Sequence, residues 1–449
     1  MQYDVVVIGA GPGGKSTAMH LEKEGKRVCL IEKDANHIGG TCLNEGCIPT
    51  KLFLESVSFL DKKAYLERCG LNVASVSFEM PTLLAQKEML LNQLRTGAMA
   101  SVKKTSIDMI FGTASFVNED AVQVNNQIIE ADSFAIATGS TYRKHPLLKI
   151  DHQQILCSDD VFGLETIPKS IVIVGGGAIG CEFATFFHAL GSRVHIVEFT
   201  SHLVPAEDAD VASALKRELE RKGIKISLST NVTAYEKKEN SVALTLKTSR
   251  GDVTEEAALV LVSIGRIPNI ADLQLEKAKV TTERGFVHVD EYLQTSNPNI
   301  YALGDVVPTP ALAHVAYDEA KVVAHNLCHE RQKTPSSVIP FVTFCQPQVA
   351  SVGWHERELK EENIEFDVIK SFFKSSAKAK INGDDSGFIK LLCDKENGLI
   401  LGGSIVGHDA TELIHEVLVA INKKATKEDL KDMVFAHPTL SESLWSMLQ

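Results

Sequence analysis

The sequence predicts an α/β fold with more than one domain, and three observations lead to this expectation. Its 449 residues exceed the length at which a single hydrophobic core keeps growing. A pattern of strand, glycine turn, helix and strand occurs twice, and short apolar strands that stop at glycine follow later in the chain. A hydrophobic content of 44% and a charged content of 23% are ordinary for a folded protein. We therefore expect about two to four domains.

The repeated pattern returns at an offset of 166 residues, so that Asp4–Gly14 (D-V-V-V-I-G-A-G-P-G-G) lies over Ser170–Gly180 (S-I-V-I-V-G-G-G-A-I-G). Both copies hold G-x-G-x-x-G. The first glycine makes a tight turn, the second lets backbone approach a pyrophosphate, and the third packs helix on sheet. The glycines are Gly9, Gly11 and Gly14 in the first copy, and Gly175, Gly177 and Gly180 in the second.

Each copy ends its second strand with a glutamate, Glu32 or Glu198, 23 residues after the first glycine. A carboxylate there can bond both hydroxyls of a ribose, whereas glycine turns alone also occur for purely structural reasons. The sequence thus predicts two Rossmann-like three-layer dinucleotide-binding domains, with electrons passing between two cofactors. Glu198 disfavours a 2′-phosphate and no arginine follows it in Phe199–His202, so the second cofactor is predicted to be NAD.

Three later apolar strands also end at a glycine, as crossings of the chain between domains would require. They are Phe134–Gly139, Val260–Gly265 and Tyr301–Gly304. Asp305 follows the third of them. Its carboxylate could cap the strand end or bond a ribityl hydroxyl of a flavin.

Two cysteines, Cys42 and Cys47, lie close to the expected start of a helix. Regular helix geometry would hold their Cα atoms about 8.7 Å apart, and a disulfide needs them within about 7 Å. Either the pair is never bridged or the backbone is bent out of helix. Gly46 permits a bend, and Pro49 suits the first turn of a helix that begins there.

The other seven cysteines lie in apolar or helical contexts and are expected to be small buried hydrophobes rather than ligands. They are Cys29, Cys69, Cys157, Cys181, Cys328, Cys345 and Cys393. An odd total of nine does not suit a secreted disulfide framework, which favours a reducing compartment and a cytoplasmic location.

The net charge of −12 argues against nucleic acid and anionic membranes as partners and would suit a basic protein partner. No apolar run approaches the roughly 20 residues that span a bilayer, and the N-terminus passes directly into an expected strand. We therefore expect no membrane span, signal peptide or transit segment.

Four motifs, read together, resemble the pyridine nucleotide-disulfide oxidoreductases. They are Gly39–Lys51 (G-G-T-C-L-N-E-G-C-I-P-T-K), Gly175–Glu182 (G-G-G-A-I-G-C-E), Tyr301–Asp305 (Y-A-L-G-D) and His437–Glu442 (H-P-T-L-S-E). The resemblance runs from end to end of the chain in matching order. It implies FAD at the first site, NAD at the second and a C-terminal α+β dimerisation domain that forms a homodimer.

The domains implied are an FAD domain over 1–145, completed by 266–335, an NAD domain over 146–265 and an interface domain over 336–449. The implied reaction oxidises dihydrolipoamide to lipoamide and reduces NAD+. The dihydrolipoyl groups would be carried by the E2 component of 2-oxoacid dehydrogenase complexes or by the glycine cleavage H protein. The open alternatives are a reductase of another disulfide and a non-catalytic subunit that binds NAD and FAD.

The resemblance also implies roles for the cysteines and a lysine. Cys42 would exchange with the substrate, and Cys47 would face the flavin. Lys51 would sit by the reactive edge of the isoalloxazine and pair with Glu182, although a lysine at this place in a helix could simply be solvated.

The same resemblance makes His437 the catalytic base and Glu442 the carboxylate that orients it, although a lone histidine near a C-terminus is usually a surface or core residue. A base is needed because the thiolate is the nucleophile in disulfide exchange. Besides the glycines of both turns, the residues that the resemblance assigns to cofactor binding are Glu32, Lys51, Gly112, Thr138, Gly139, Ser140, Asp305, Ala313, Glu198, Val232 and Gly265.

Three positions depart from the pattern of the family. Lys15 replaces a residue that is commonly apolar or aromatic, and the stretch Cys345–Gln348 holds glutamine where glutamate is typical. Glu45 stands between the cysteines where valine is usual. Its charge is expected to raise the thiol pKa values or to shift the redox potential.

Overall fold

The computed structural model describes residues 2–449. Its strands, in chain order, are β1 (Gln2–Ile8), β2 (Val28–Glu32), β3 (Asp108–Phe111), β4 (Ala114–Asn118), β5 (Ala121–Val124), β6 (Gln127–Ile136), β7 (Ser140–Tyr142), β8 (Ile155–Cys157), β9 (Ser170–Val174), β10 (Arg193–Val197), β11 (Lys225–Ser227), β12 (Asn231–Lys237), β13 (Val242–Thr248), β14 (Gly251–Ala257), β15 (Leu259–Val262), β16 (Arg266–Pro268), β17 (Thr282–Glu283), β18 (Phe286–Val287), β19 (Ile300–Ala302), β20 (Pro340–Thr343), β21 (Gln348–Gly353), β22 (Phe366–Phe372), β23 (Phe388–Asp394) and β24 (Ile400–Gly407).

The α-helices are α1 (Pro12–Lys23), α2 (Gly40–Asn44), α3 (Cys47–Arg68), α4 (Met80–Lys103), α5 (Ala178–Ala189), α6 (Ala209–Lys222), α7 (Ala313–Cys328), α8 (Glu356–Glu361), α9 (Ala377–Asn382), α10 (Ala410–Asn422), α11 (Lys427–Lys431) and α12 (Glu442–Ser446). Short 3₁₀ helices add single turns at Ala35–His37, Asp159–Gly163, Ala271–Leu273, Leu275–Ala278, Gly304–Val306 and Phe373–Ser375.

The chain divides into two compact units. The first contains the chain up to Thr50, Thr82–Arg143 and Gly265–Ser336, and the second contains Lys51–Pro81, Lys144–Ile264 and Ser337–Gln449. These borders fall within two residues of the three domain borders that the sequence suggested. Lys51–Pro81 is the exception, because it clusters with the second unit rather than with the first.

Aromatic packing explains why α3 joins the second unit. The ring of Phe53, on α3, lies 5.4 Å from the ring of Phe162 and 5.0 Å from that of Phe186. Phe53 is fully buried. Aromatic side chains carry a large share of core burial, so this cluster ties the helix to α5.

The main sheet of the first unit has the strand order β3-β2-β1-β6-β5-β4, and β19 also pairs with β6. The pairings among β1, β2, β3, β6 and β19 are parallel, and β4 and β5 add antiparallel strands at one edge. Side chains of β1 alternate between two cores: Val5 and Val7 pack with residues of α1 and α7, and Val6 and Ile8 pack with residues of β4 and β5. This period of two is the pattern of a strand buried on both faces.

The second unit repeats the arrangement with a five-stranded parallel sheet, β11-β10-β9-β15-β8. A three-stranded antiparallel sheet, β12-β13-β14, follows β11 in the chain. In both units the strand before the glycine turn pairs in parallel with the strand after the helix, β1 with β2 and β9 with β10. The predicted internal repeat is confirmed.

The C-terminal part of the second unit is an antiparallel sheet with the order β20-β21-β24-β23-β22. Helix α10 packs on it through Ile414 and Val417, which share a core with Ala350 and Ile405. This is the α+β arrangement that was expected. No helix within residues 2–449 combines the length and the hydropathy that crossing a membrane requires.

The cysteine prediction is correct for most of the seven scattered cysteines. Cys29, Cys157, Cys181, Cys345 and Cys393 are buried, and Cys328 is half-buried. It is wrong for Cys69, which is exposed. Cys69 directly follows the last residue of α3, in a turn whose neighbours are also solvent-exposed.

Candidate active site

The two cysteines of the first unit lie on either side of a break between helices. Helix α2 ends at Asn44, Glu45 has φ −140° and ψ 21°, and α3 begins at Cys47. Cys42 and Cys47 are near disulfide distance. Of the two possibilities that the sequence left open, the structure has the bent backbone.

The reason for Gly46 is space. A Cβ on this residue would lie 2.9 Å from the carbonyl oxygen of Thr41 and 3.3 Å from the Cα of Cys42. The bend brings two backbone segments too close together for any side chain at this position. Hydrogen bonds hold both ends of the break: the Asn44 amide donates to the carbonyl oxygen of Gly40 (2.9 Å), and the Thr50 hydroxyl donates to that of Gly46 (2.6 Å).

Two residues near the dithiol were not predicted from the sequence. Burial raises the pKa of Tyr317, on α7, and the negative charges of Cys42 and Cys47 in their thiolate forms raise it further. His37 Nε2 lies 3.5 Å from a carboxylate oxygen of Glu45. The hydrogen bond between them raises the pKa of His37 and lowers that of Glu45, so each side chain favours the charged form of the other. No motif links His37 to Glu45, since the pair forms only when the loop is folded.

Lys51 and Glu182 form an ion pair within the second unit. The Lys51 ammonium donates to both carboxylate oxygens of Glu182, at 3.0 and 2.9 Å. Glu182 also accepts a hydrogen bond from the backbone N–H of Phe344 at 2.9 Å, and Lys51 Nζ lies 4.5 Å from the centre of the Phe344 ring. Glu182 is buried and the Lys51 side chain is about one-third exposed. The interpretation of Lys51 as a merely solvated lysine is therefore wrong.

His437 and Glu442 are joined by a hydrogen bond of 2.9 Å between Nδ1 and Oε2. Glu442 is the first residue of α12 and is mostly buried, whereas 75% of the His437 side chain is exposed. A carboxylate bonded to Nδ1 fixes the tautomer and leaves Nε2 able to accept a proton.

The two glycine turns have the same geometry. A Cβ on Gly9 would overlap the carbonyl oxygen of Ala137, and one on Gly175 would overlap that of Ser263; both glycines have positive φ, 103° and 114°. A Cβ on the third glycine of each turn, Gly14 or Gly180, would likewise overlap the carbonyl oxygen of the first glycine. These four positions are glycine because the fold leaves no room.

The middle glycines differ. Nothing lies within 4 Å of a Cβ placed on Gly177, and the nearest atom to one on Gly11 is 3.9 Å away. The fold itself would accept a side chain at both places. A bound pyrophosphate would need that space, at the N-termini of α1 and α5, so the residues present fit a dinucleotide in each unit.

Each strand-end glutamate is held against its turn. Glu32 accepts a hydrogen bond from the N–H of Ala10 at 2.7 Å. Glu198 accepts one from the N–H of Gly176 at 2.5 Å and two from Thr200, from N–H and hydroxyl, both at 2.7 Å. Both carboxylates are buried, and both occupy the ribose position of the dinucleotide pattern.

The other residues assigned to the first cofactor site lie in the first unit. Ser140 donates a hydrogen bond to the carboxylate of Asp305, and Thr138 donates to the carbonyl oxygen of Asn269 at 2.7 Å. Arg266, which the sequence did not single out, donates to the hydroxyl and to the carbonyl oxygen of Ser140, both at 2.8 Å. Arg266 follows a strand-ending glycine, which is the signal that could have identified it.

The remaining positions that were predicted to bind cofactors are glycines and small or apolar residues at the ends of strands and helices or in a core. Gly112 donates its N–H to the carbonyl oxygen of Glu32 at 2.8 Å. Ala313 is the first residue of α7, while Gly139 and Gly265 have positive φ just after β6 and β15. Val232 is buried on β12, in a core shared with the last residues of β9, β10 and β15.

The family model described as "Pyridine nucleotide-disulphide oxidoreductase" matches residues 3–320. The model for the dimerisation domain of the same family matches residues 339–448. The chain belongs to this family. Proteins of the pyridine nucleotide-disulphide oxidoreductase family use FAD and NAD, and the chain is accordingly a flavoprotein oxidoreductase. The match at 339–448 gives it the dimerisation domain of the family.

Similar proteins include several dihydrolipoyl dehydrogenases. The chain is 36% identical to dihydrolipoyl dehydrogenase 1, mitochondrial, of Arabidopsis thaliana, with 99% of this chain and 89% of that protein covered. It is 35% identical to dihydrolipoyl dehydrogenase of Bacillus subtilis, with 99% and 97% covered. Among solved structures, the HOCl-induced flavoprotein disulfide reductase RclA from Escherichia coli superposes with a TM-score of 0.89 at 29% identity, with 99% of each chain covered.

Proposed function

We propose that the protein oxidises protein-bound dihydrolipoamide to lipoamide and reduces NAD+ to NADH. The observation that supports this is the bent Cys42–Cys47 pair, near disulfide distance, in a chain 35–37% identical over its full length to several dihydrolipoyl dehydrogenases. The proposed domains are 1–145 with 266–335 for FAD, 146–265 for NAD and 336–449 for the interface. The borders between the compact units lie within two residues of these borders, apart from Lys51–Pro81, and the second unit contains both the NAD range and the interface range.

In the proposed reaction the Cys42–Cys47 disulfide takes up two electrons. A substrate thiolate attacks Cys42 Sγ and forms a mixed disulfide, while Cys47 leaves as a thiolate. The second substrate thiol then displaces Cys42, so lipoamide forms its ring disulfide and the enzyme holds a dithiol. His437 accepts the proton of the attacking thiol at Nε2, and Glu442 stabilises the imidazolium from the Nδ1 side.

FAD, when bound, supplies the two-electron link between this dithiol and NAD+. The turn at Gly9–Gly14, Glu32, Ser140 and Asp305 would hold it. The Lys51 ammonium, fixed on both oxygens of Glu182, would present a positive charge from α3, four residues after Cys47. The second turn and Glu198 would hold NAD.

The proposed partner is a lipoyl-bearing E2 component or the glycine cleavage H protein. The net charge of −12 suits a basic docking surface on that partner. A cytoplasmic location stays a prediction, because relatives from Arabidopsis thaliana and Pisum sativum carry "mitochondrial" in their names.

A second candidate is the reduction of a different disulfide, which the likeness to RclA favours. The two functions differ in direction. A dehydrogenase forms NADH from dihydrolipoamide, whereas a reductase consumes NAD(P)H with its own disulfide substrate.

The deciding experiment measures NADH formation from dihydrolipoamide by the purified, flavin-loaded protein, with a matched pair of cysteine variants. Both Cys42→Ser and Cys47→Ser should lose this activity. Only Cys42→Ser should keep a thiolate at Cys47 beside the flavin, seen as a long-wavelength charge-transfer band at neutral pH. Wild-type turnover no higher than that of the two inactive variants would exclude the proposed function. A charge-transfer band in Cys47→Ser instead of Cys42→Ser would reverse the cysteine roles.

The dimer can be tested with mixed chains. We propose that His437 of one chain serves the dithiol of the other, so that a two-fold dimer holds two equivalent composite sites. Cys42→Ala and His437→Ala homodimers should both be inactive. Random reassembly of equal amounts should restore roughly a quarter of wild-type sites, since half the dimers are mixed and each has one intact site. An inactive but flavin-loaded mixed dimer would contradict the shared site.

A further inference from the structure

A histidine, a cysteine and an aspartate converge around β8 in the second unit, in a place that the proposed reaction does not use. His152 precedes the strand, Cys157 is its last residue, and Asp160 lies in the 3₁₀ turn that follows. One nitrogen, one sulfur and one carboxylate oxygen from these residues all lie within 4.8 Å of one another.

The Asp160 carboxylate is the centre of the group. His152 Nδ1 lies 2.9 Å from Oδ1 and 3.1 Å from Oδ2, and Cys157 Sγ lies 3.2 Å from Oδ2. The backbone N–H of Cys157 donates to the same Oδ2 at 2.8 Å and so fixes the carboxylate. The turn therefore holds three possible metal-ligand atoms, a nitrogen, a sulfur and an oxygen, within 4.8 Å of one another.

We propose that His152, Cys157 and Asp160 form a binding site for a thiophilic divalent cation of the Zn²⁺ class. Zn²⁺ takes thiolate, imidazole and carboxylate ligands together, at about 2.3, 2.0 and 2.1 Å. A tetrahedron with those bond lengths separates its ligand atoms by about 3.3 to 3.6 Å. The present separations to Asp160 of 2.9 to 3.2 Å need to open by only a few tenths of an ångström.

The burial of the three side chains suits an ion bound at the surface. Cys157 is buried and Asp160 is mostly buried, whereas 56% of the His152 side chain is exposed. The histidine ring can move outward to admit the ion without disturbing the core. Three protein ligands leave a fourth position for water on the exposed side. The mixed donor set disfavours Mg²⁺ and Ca²⁺, which prefer oxygen ligands.

Binding exchanges one proton for the ion: the Cys157 thiol loses its proton to solvent as sulfur bonds to the metal. The two negative charges of thiolate and carboxylate then balance the cation. β8 is an edge strand of only three residues, and the three ligands lie before it, at its last residue and after it. A bound ion would therefore also stabilise that edge of the sheet. Cys157 pairs in register with Val262 of β15, so this effect acts on the sheet that carries the second glycine turn.

The test uses the full-length, flavin-loaded protein in its oxidised form, in which a Cys42–Cys47 disulfide would offer no thiolate. Co²⁺ is titrated first, since a cobalt–thiolate centre absorbs beyond the flavin bands, and Zn²⁺ is then used to displace it. We expect one ion per chain. Cys157→Ser should abolish the cobalt–thiolate absorption and lower the Co²⁺ affinity by at least about tenfold. The removal of a metal ligand should lower the affinity at least as much as the removal of a hydrogen-bond partner of a ligand does.

His152→Asn gives a second variant, at an exposed position where asparagine tolerates the left-handed backbone (φ 60°). It should also weaken binding about tenfold. Cys393→Ser, another buried strand cysteine, is the matched control and should bind as the wild type does. Absence of the cobalt–thiolate spectrum in the wild type, or its survival in Cys157→Ser, would overturn the proposal. If Cys157→Ser fails to fold, unchanged Co²⁺ affinity in His152→Asn overturns it alone. A Cys42→Ser/Cys47→Ser double variant must retain the signal, which separates this site from the dithiol.

Discussion

Replacing Glu198 by glutamine should relax the preference of the second site for NAD+ over NADP+. The substitution keeps size and one carbonyl oxygen but removes the charge. In the structure Oε1 of Glu198 already accepts two hydrogen bonds from Thr200, and Oε2 accepts one from Gly176. A carboxylate offers about four acceptor positions, so one remains, on Oε2, for a ribose hydroxyl.

The size of the effect follows from that one position. A hydrogen bond to a charged group contributes about 1.5 to 3 kcal/mol, so the NAD+ affinity should fall roughly ten- to a hundredfold. For NADP+ the carboxylate opposes the 2′-phosphate. Two unit charges about 4 Å apart repel by about 4 kcal/mol at the effective dielectric of a protein surface, and solvent lowers this. Relief of the repulsion offsets the lost bond, and the NAD+ to NADP+ ratio of kcat/KM should narrow by at least about tenfold.

The assay is dihydrolipoamide oxidation with each nucleotide, together with direct measurement of nucleotide binding. Glu32→Gln is the matched control because it makes the same change at the equivalent place of the first repeat. It should weaken FAD retention and leave the nucleotide ratio unaltered. A flavin-loaded Glu198→Gln enzyme with the wild-type ratio would refute the assignment of the second site.

Two further changes test the surroundings of the dithiol. Gly46→Ala should destabilise the protein by about 1 to 3 kcal/mol in thermal unfolding, because its Cβ would lie 2.9 Å from a carbonyl oxygen. Gly97→Ala, in α4 with nothing within 4 Å, should instead be stabilising by up to about 1 kcal/mol, and equal effects at both positions would contradict the spatial argument. Glu45→Val should lower the pKa of His37, observed by NMR of the labelled imidazole. The raised pKa of His37 contributes stability that is fully present below the unfolded pKa of 6.5 and is lost as the pH rises through the folded pKa. The lowered pKa of Glu45 contributes stability that is present above the unfolded pKa of 4.5 and is lost as the pH falls through the folded pKa. Urea unfolding should show the largest loss in Glu45→Val between those limits, and a loss that does not vary with pH would show that the pair contributes nothing.

The sequence predicted best the features that local geometry imposes. The two glycine turns were visible because close backbone contacts allow only glycine at their first and third positions. At the dithiol the sequence left two possibilities open, and Gly46 indicated only that a bend was allowed. The Lys51–Glu182 ion pair joins residues 131 apart in the chain, and only the resemblance to a family linked them.

Contacts between distant polar residues could not be predicted. Lys390 lies in an apolar strand and is fully buried, yet its ammonium bonds Asp208 (2.7 Å), Asp210 (2.8 Å) and Glu356 (3.0 Å). A charge in that place is tolerated because three carboxylates surround it, and nothing in the strand indicates them. Cys157 was expected to be a small buried hydrophobe rather than a ligand, because nothing in its strand indicates polar partners. Its burial was predicted correctly, whereas the histidine and the aspartate beside it were not.

The break between α2 and α3 has a consequence for the speed of electron transfer. The hydrogen bonds that hold it run through Asn44 and Thr50 to backbone oxygens and involve neither sulfur atom. Opening and closing the bond between the sulfurs therefore leaves the backbone frame where it is. Exchange at such a site carries little reorganisation cost, because the attacking and leaving atoms are already held within reach of each other. A dithiol in a mobile loop would have to recover that geometry in every catalytic cycle.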